Sequence, residues 1–429
     1  MSFNFLLCAQ DNLQILQDGS DVITWHQLKH HIAGIQTQLI ENKVQNCVLL
    51  SKDNLTFVAC LLACHYLAVD LILPPNETDE MMELLEKHIL IGDHPNSVSY
   101  ELKNDEIINK HQDSKLSIFT SGSTGTPKLI TREFSQMMLE VKEINQMWGQ
   151  EFKSPLFVST VSSQHIYGLL FALLWPLSQG CRIHRKIIPF EESLGKLCLL
   201  NTELVLISSP AFLKRLSLRN NLINNHMDVF CSGGMLNKSQ SVKASKLLNC
   251  AIIQVYGSSE TGGIAYKFQA NDWQFFPSVK TNISNKTLKV KSPFCYITGW
   301  LDTNDKIRMT NSGFELLGRK DRIVKIEEKR VSLVQVEREI KNHCWVNDAL
   351  AIAMIDGRQF IAIIIVLNKQ GKLKLHELGV KNIKLNIKNF VKPKLDKLAI
   401  PRQIRFMNEI PQNTQGKTPY PIIRALFET

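Results

Sequence analysis

The sequence predicts an α/β protein: a large N-terminal domain with mostly parallel sheets, then a small C-terminal α+β domain. Three observations carry this. Short β-branched apolar runs alternate with helical patterns through the first two-thirds of the chain, the signature of strand–helix–strand units and parallel sheet. The pattern changes after Gly318, where a short strand, a helix and a hairpin signal follow one another. Of the 429 residues, 44% are hydrophobic and 21% charged. That is enough apolar surface to exclude a disordered chain. At about 150 residues per domain, the length allows two or three domains.

The first-domain strands are expected at 156–161, 204–208, 228–231 and 251–255, with helices at 133–148 and 237–248. The apolar segment 55–73 approaches the length of a membrane span, but it contains His65 and Asp70 and ends at Pro74-Pro75. A buried helix followed by a strand is the expected reading. In the second domain a strand is expected at 322–326. Ser332 with Gln335 forms a capping-box signal, and Val336 and Ile340 mark the buried stripe of the helix. Runs 349–355 and 360–367 are joined by Asp356-Gly357-Arg358, a hairpin signal. A helix and a strand at 403–407 complete the unit. The boundary falls between 1–318 and 319–429 without a long linker, so the junction reads as a tight hinge.

Charge is unevenly placed. The chain has 50 Lys+Arg against 40 Asp+Glu, a formal net charge of +10. Nine lysines lie in 369–397, against only Glu377 and Asp396. This is either a solvated face or an approach surface for a polyanion such as ATP, coenzyme A, an acidic carrier protein or nucleic acid. Phe390 is the one aromatic in the run, so stacking platforms for single-stranded nucleic acid are not expected. Ten cysteines occur with no Cys-x-x-Cys pair. Cys60 and Cys64 with His65 are at best half a metal site, and small core residues are the better reading. The N-terminal residues lack a basic stretch and carry only a short apolar run. A cytoplasmic protein without a signal peptide is expected.

The most informative stretch is Ser117-Ile118-Phe119-Thr120-Ser121-Gly122-Ser123-Thr124-Gly125-Thr126-Pro127-Lys128. A strand runs into hydroxyls and glycines and ends on a lysine. Glycines allow close backbone approach to an anion, and backbone N–H groups, hydroxyls and the Lys ammonium hold phosphate oxygens. The spacing is not that of a Walker A loop. Gly416-Lys417-Thr418 also fails that pattern, because Pro411 stands where the first Gly is needed.

The stretch resembles the phosphate loop of the adenylate-forming (AMP-binding) superfamily of acyl- and aryl-CoA synthetases and adenylation domains. Further motifs follow in the family's order. Val255-Tyr256-Gly257-Ser258-Ser259-Glu260-Thr261 is similar to the Tyr-Gly-x-Thr-Glu motif, and Ser232-Gly233-Gly234 to the adenine-side glycine loop. Thr303-Asn304-Asp305 resembles Thr-Gly-Asp, with Asn304 able to take a left-handed backbone. Gly318-Arg319-Lys320-Asp321 resembles the hinge signature. The stretch from Glu409 to Lys417 resembles the C-terminal motif that ends in Gly-Lys, and Ser163-Gln164-His165-Ile166-Tyr167-Gly168 the segment lining the carboxylate pocket.

The resemblance implies roles. Thr120, Ser121, Gly122, Ser123, Thr124, Gly125 and Lys128 would hold the ATP phosphates. Gly233, Tyr256 and Gly257 would border adenine, with Tyr256 stacking on it. Ser259 would contact the α-phosphate and Glu260 would ligate Mg²⁺. Asp305 would bind the ribose hydroxyls, and Arg319 the nucleotide. Asp321 would be the hinge. Lys417 would stabilise charge on the α-phosphate, and His165 would position the carboxylate.

The implied activity is formation of an acyl- or aryl-adenylate from ATP, then transfer to a phosphopantetheine thiol. The chain resembles the compact ligases of aryl-polyene and fatty-acid-like biosynthesis systems. Phe157, Ile166, Leu169 and Cys231 point to a hydrophobic or aryl acid. Glu328 stands where the family's Gly borders the pantetheine tunnel. The acceptor therefore stays open between coenzyme A and a carrier protein. The alternative reading is a non-catalytic or adenylation-only nucleotide-binding module of the same fold.

Overall fold

The computed structural model describes residues 4–121, 127–149, 154–200, 203–217, 226–234, 236–268, 271–326, 329–356, 358–412, 418 and 420–428. The alternating strands and helices of the first two-thirds form two parallel-rich sheets. In the larger, nine strands run in the order Gln274–Phe275, Gly262–Phe268, Ile252–Ser258, His226–Cys231, Glu203–Ser208, Leu156–Ser159, Arg182–His184, Gln14–Asp18, Asp21–Thr24. The strands from Ile252–Ser258 to Gln14–Asp18 pair in parallel, and antiparallel strands close both ends.

The central strands read as unbroken apolar runs because both faces are covered. Phe157, Val205, Ile207, Phe230, Ile253 and Val255 belong to one buried cluster. Their neighbours Leu156, Val158, Leu204, Leu206, Val229 and Ile252 belong to another. The strand period of two sends them to opposite faces. The helix Lys238–Leu248 starts on Asn237, whose side chain accepts from the Gln240 N–H in a reciprocal capping box.

The second sheet runs Ile89–Gly92, Asn46–Leu50, Asp70–Leu73, Lys115–Ser121, Pro127–Glu133. Its strands are parallel except for the last pair, an antiparallel hairpin. The apolar segment 55–73 becomes the helix Asn54–Leu67 followed by the strand Asp70–Leu73. Asp53 caps the helix by accepting from Leu55 N–H at 3.1 Å, and Ala68 ends it with a left-handed φ of 54°. A helix apolar on all sides belongs inside a core, and most of its side chains are buried. Among the described residues, no helix is long and apolar enough to cross a membrane.

A four-stranded sheet follows in the order Lys280–Ser284, Thr287–Lys291, Leu301–Met309, Phe314–Arg319. The chain divides into two compact units. The first comprises Met1–Asn282, Val290–Leu301 and Thr310–Phe314; the second comprises Ile283–Lys289, Asp302–Met309 and Glu315–Thr429.

In the second unit, Ile323–Ile326 pairs antiparallel with Lys329–Ser332. Ser332 then caps the helix Leu333–Lys341 by accepting from Gln335 N–H at 3.3 Å. The expected hairpin pairs Val346–Asp356 with Arg358–Leu367, and Gln403–Met407 adds in parallel. Val336, Ile340, Ala351, Ile363, Ile383 and Ile387 share this unit's core. Arg322 forms an ion pair with Glu337 and donates to Ala351 O at 3.1 Å, while Ala351 N–H donates to Glu337 at 2.7 Å. Burial raises the Glu337 carboxyl above its usual range against the pull of Arg322. The Lys-rich run forms the helix Lys369–Val391, interrupted at Gly379, where φ is 76°. Ile383, Ile387 and Val391 are buried; Leu373, Val380 and Leu385 are exposed.

Candidate functional site

Ligands of open α/β sheets bind beyond the carboxyl ends of the strands. Here those ends carry hydroxyls and glycines. Thr160 and Ser208, at the carboxyl ends of neighbouring strands, share a hydrogen bond of 3.0 Å. Ser232 donates to Val255 O at 2.8 Å. Gly233 follows, exposed and with φ at 88°, a conformation that favours glycine. Tyr256 and Gly257 lie in the last residues of Ile252–Ser258, with Ser259 and Glu260 in the turn that follows.

Close packing fixes this turn. A Cβ on Gly257 would lie 2.3 Å from Gly262 O, so the position admits only glycine. Thr261 is buried; its hydroxyl accepts from Ser258 N–H at 3.0 Å and donates to Gly262 O at 2.8 Å. Half-buried Tyr256 meets Trp273 edge-on, with ring centroids 5.8 Å apart. The Lys267 ammonium lies 4.7 Å from the Trp273 ring centre. Burial lowers the Lys267 pKa.

The phosphate-loop stretch is held by its flanks. Thr120 pairs with Lys128 and Ser121 with Pro127. Gly122, Ser123, Thr124 and Gly125 lie outside the described residues. Exposed Lys128 reaches Tyr296, its Nζ 3.4 Å from the hydroxyl and 5.3 Å from the ring centre. Tyr296 N–H in turn donates to Glu260 O at 3.0 Å. Tyr296 therefore joins the lysine of one motif to the glutamate of another. The Glu260 side chain is half-buried.

Beneath them is a buried ion pair. Arg132 and Glu140 meet at 2.9 Å, each side chain 2% exposed. The second Glu140 oxygen accepts from Gly263 N–H at 2.6 Å. A Cβ on Gly262, where φ is +66°, would sit 2.7 Å from the Glu140 carboxylate. The pair thus ties the hairpin strand Pro127–Glu133 and the helix Phe134–Trp148 to the backbone just after the Tyr256–Glu260 turn.

His165 is half-buried, and its carbonyl accepts from Leu169 N–H at 2.8 Å at the start of the short helix Ile166–Gly168. Gly168 is required there, since a Cβ would lie 2.2 Å from Ser162 O. A buried π-helical stretch, Leu169–Leu174, follows. Phe157 and Leu169 pack in the first core cluster and Ile166 against it, but Cys231 belongs to the second cluster. The expected apolar pocket set is therefore split by the two-residue strand period.

Asp305 lies half-buried in the strand Leu301–Met309, its N–H donating to the Thr303 hydroxyl at 3.1 Å. Asn304 takes the left-handed backbone, φ 59°. Arg319 is exposed at the end of its strand, and Asp321 lies in the single turn Lys320–Arg322. Gly318 has φ of +109°, beside the Val334 methyls. Lys417 and Glu328 lie outside the described residues.

Sequence reasoning missed Tyr296, Arg132 and Glu140. Glu140 and Glu143 are both buried on a face of the helix Phe134–Trp148 that is otherwise apolar, and that break in pattern was the available signal for Glu140. Nothing local marked Tyr296.

The donor set suits a nucleotide and its metal. A carboxylate is the hard oxygen donor that Mg²⁺ takes. Among the described residues, Glu260 has no hydrogen-bond or ion-pair partner for its carboxylate.

Comparison with known proteins finds relatives and structures of the same fold. A putative long chain fatty acid-CoA ligase of Staphylococcus aureus (strain COL) is 24% identical over 435 residues, covering 94% of this chain and 92% of the relative. A D-alanine--D-alanyl carrier protein ligase of S. aureus (strain JH9) is 23% identical over 388 residues, covering 80% and 77%. Among solved structures, the O-succinylbenzoate coenzyme A synthetase of Bacillus subtilis, in complex with AMP, superposes with a TM-score of 0.78 at 16% identity, covering 100% of this chain and 98% of that one. The profile of the AMP-binding enzyme family matches residues 77–294, and the chain belongs to that family.

Proposed function

We propose that this chain is an ATP-dependent acid–thiol ligase that activates a carboxylic acid as its adenylate and passes the acyl group to a phosphopantetheine thiol. One observation carries the reading: Lys128, at the foot of the hydroxyl- and glycine-rich stretch, is joined through Tyr296 to the turn that holds Glu260. A phosphate-binding cation and a metal-binding carboxylate thereby share one framework.

In the first step a carboxylate oxygen attacks the α-phosphorus of ATP. The bond from that phosphorus to the bridging oxygen breaks, and pyrophosphate leaves. Catalysis of such a step is positioning and charge stabilisation. The 120–128 stretch holds the leaving phosphates. Tyr256 and Gly257, with Gly233, border the adenine, and Asp305 accepts from the ribose hydroxyls. Arg319 contacts the nucleotide. Ser259 contacts the α-phosphate, Lys417 meets the charge developing there, and His165 orients the carboxylate. Glu260 is the residue that would hold Mg²⁺, which when bound neutralises charge on the phosphate oxygens. In the second step the thiol sulfur attacks the acyl carbon, its proton is lost and AMP departs. We assign 1–318 as the adenylation domain and 319–429 as a mobile domain hinged at Asp321.

The substrate class we propose is a hydrophobic or aryl acid. For the acceptor we favour an acidic carrier protein. Six lysines lie on the helix Lys369–Val391 with Glu377 as its only acid. Lys374 pairs with Glu377 at 2.6 Å, leaving a positive excess. Such a surface steers an acidic partner. The carrier-protein ligase relative supports the same reading.

The test is carboxylate-dependent ATP–pyrophosphate exchange over fatty and aryl acids, with Lys417→Ala beside the wild type. Exchange confined to one acid class and lost in the variant supports the assignment. ATP binding without exchange on any acid would identify a non-catalytic module. Acyl transfer to a phosphopantetheinylated carrier against coenzyme A, at rising salt, decides the acceptor.

A further inference from the structure

The ligase reading leaves one built cluster unused. Cys60 and Cys64 lie one turn apart on the buried helix Asn54–Leu67, and Cys47 faces them from the strand Asn46–Leu50. The Sγ atoms are 3.9 Å apart for Cys47 and Cys60 and 4.0 Å for Cys60 and Cys64, and all three lie within 4.8 Å of one another. Each residue is at most 1% exposed. Among the described residues, this is the one group of three or more metal-ligating side chains so disposed.

Geometry and charge narrow what it could take. A metal–sulfur bond of about 2.3 Å in a trigonal plane sets sulfurs about 4.0 Å apart. The spacings of 3.9 and 4.0 Å match, and the third pair lies within 4.8 Å. Zn²⁺ takes four ligands, and the neighbouring His65 is turned elsewhere, stacked on Phe134 at 4.1 Å with its Nδ1 3.4 Å from the Ser114 hydroxyl. Three-coordinate sulfur sites select soft ions. In an apolar core a net charge is costly, so three thiolates around one cation are disfavoured. A single thiolate with two neutral thiols balances a monovalent ion.

We propose that Cys47, Cys60 and Cys64 form a trigonal site for a soft monovalent metal ion, Cu(I) by chemical class. Binding forms one copper–thiolate bond at Cys47 and releases one proton. The Cys60 and Cys64 thiols add as neutral donors, and no electron is transferred. The site is independent of the nucleotide chemistry.

The test uses the reduced full-length protein, without oxygen, competing for Cu(I) against a coloured Cu(I) chelator. The expected result is one equivalent bound, with three sulfur neighbours by X-ray absorption. Cys47→Ser, Cys60→Ala and Cys64→Ala should each lose it, with folding checked by circular dichroism. The Cys8→Ser/Cys344→Ser variant, lacking the two exposed cysteines, should keep it. To remove slow entry as a cause of failure, the wild type is also refolded with Cu(I) present. No copper retained in either experiment would overturn the proposal. So would uptake that survives Cys60→Ala, or a two-sulfur site.

Discussion

The Lys128 ammonium lies 3.4 Å from the Tyr296 hydroxyl, across 168 residues of chain. Tyr296 is anchored by its own N–H to Glu260 O, so the lysine is aimed by a side chain whose backbone is hydrogen-bonded to the neighbouring motif. Lysine carries considerable rotamer entropy, and a fixed hydroxyl partner reduces what nucleotide binding must still restrict.

Lys128→Ala should weaken ATP use. A hydrogen bond to a charged group contributes about 1.5–3 kcal/mol, so KM for ATP should rise roughly 10- to 150-fold in the exchange assay. Tyr296→Phe keeps the ring and loses only the hydroxyl, and a few-fold rise is expected. An unchanged KM in Lys128→Ala would remove the lysine from the phosphate site.

Glu260→Gln keeps the shape and removes the charge. Even loss of an outer-shell partner costs about 10–100-fold in metal affinity. The Mg²⁺ concentration for half-maximal exchange should therefore rise at least about tenfold. Chelation by EDTA should abolish exchange in both proteins. A variant with a normal Mg²⁺ requirement would exclude Glu260 as the ligand.

Glu140→Ala strands the buried Arg132 guanidinium and the Gly263 N–H. Removing one member of a buried ion pair costs about 3–5 kcal/mol, which a urea denaturation series at neutral pH will read. A loss below about 1 kcal/mol would mean that water reaches Arg132.

His65 couples stability to pH. Burial lowers its pKa from 6.5 to about 4. The folded state therefore binds the proton less readily than the unfolded chain. Its contribution is fully present above about pH 6.5 and is lost as pH falls toward 4, by up to about 3 kcal/mol. His65→Leu should flatten the stability profile across that window. A slope unchanged by the substitution would assign it to other groups.

The local elements and the order of the motifs are written in the amino-acid order. Strand and helix are written in periodicities of two and about 3.6 residues, and caps such as Asn237 and Ser332 signal their partners within one turn. The strand ending in the Tyr256–Glu260 turn and the hairpin pairing Val346–Asp356 with Arg358–Leu367 were legible for this reason. Asn304 was legible too, because few residues tolerate its left-handed backbone.

Which distant residues meet depends on how the chain packs. Glu140 reaches Gly263 across 123 residues, Tyr296 reaches Lys128, and Cys47 joins Cys60 and Cys64. Sheet order and strand register set these contacts, and no local pattern encodes either one. The same cause separates Phe157 from Cys231. Both read as apolar strand residues, and the two-residue period placed them on opposite faces of one sheet.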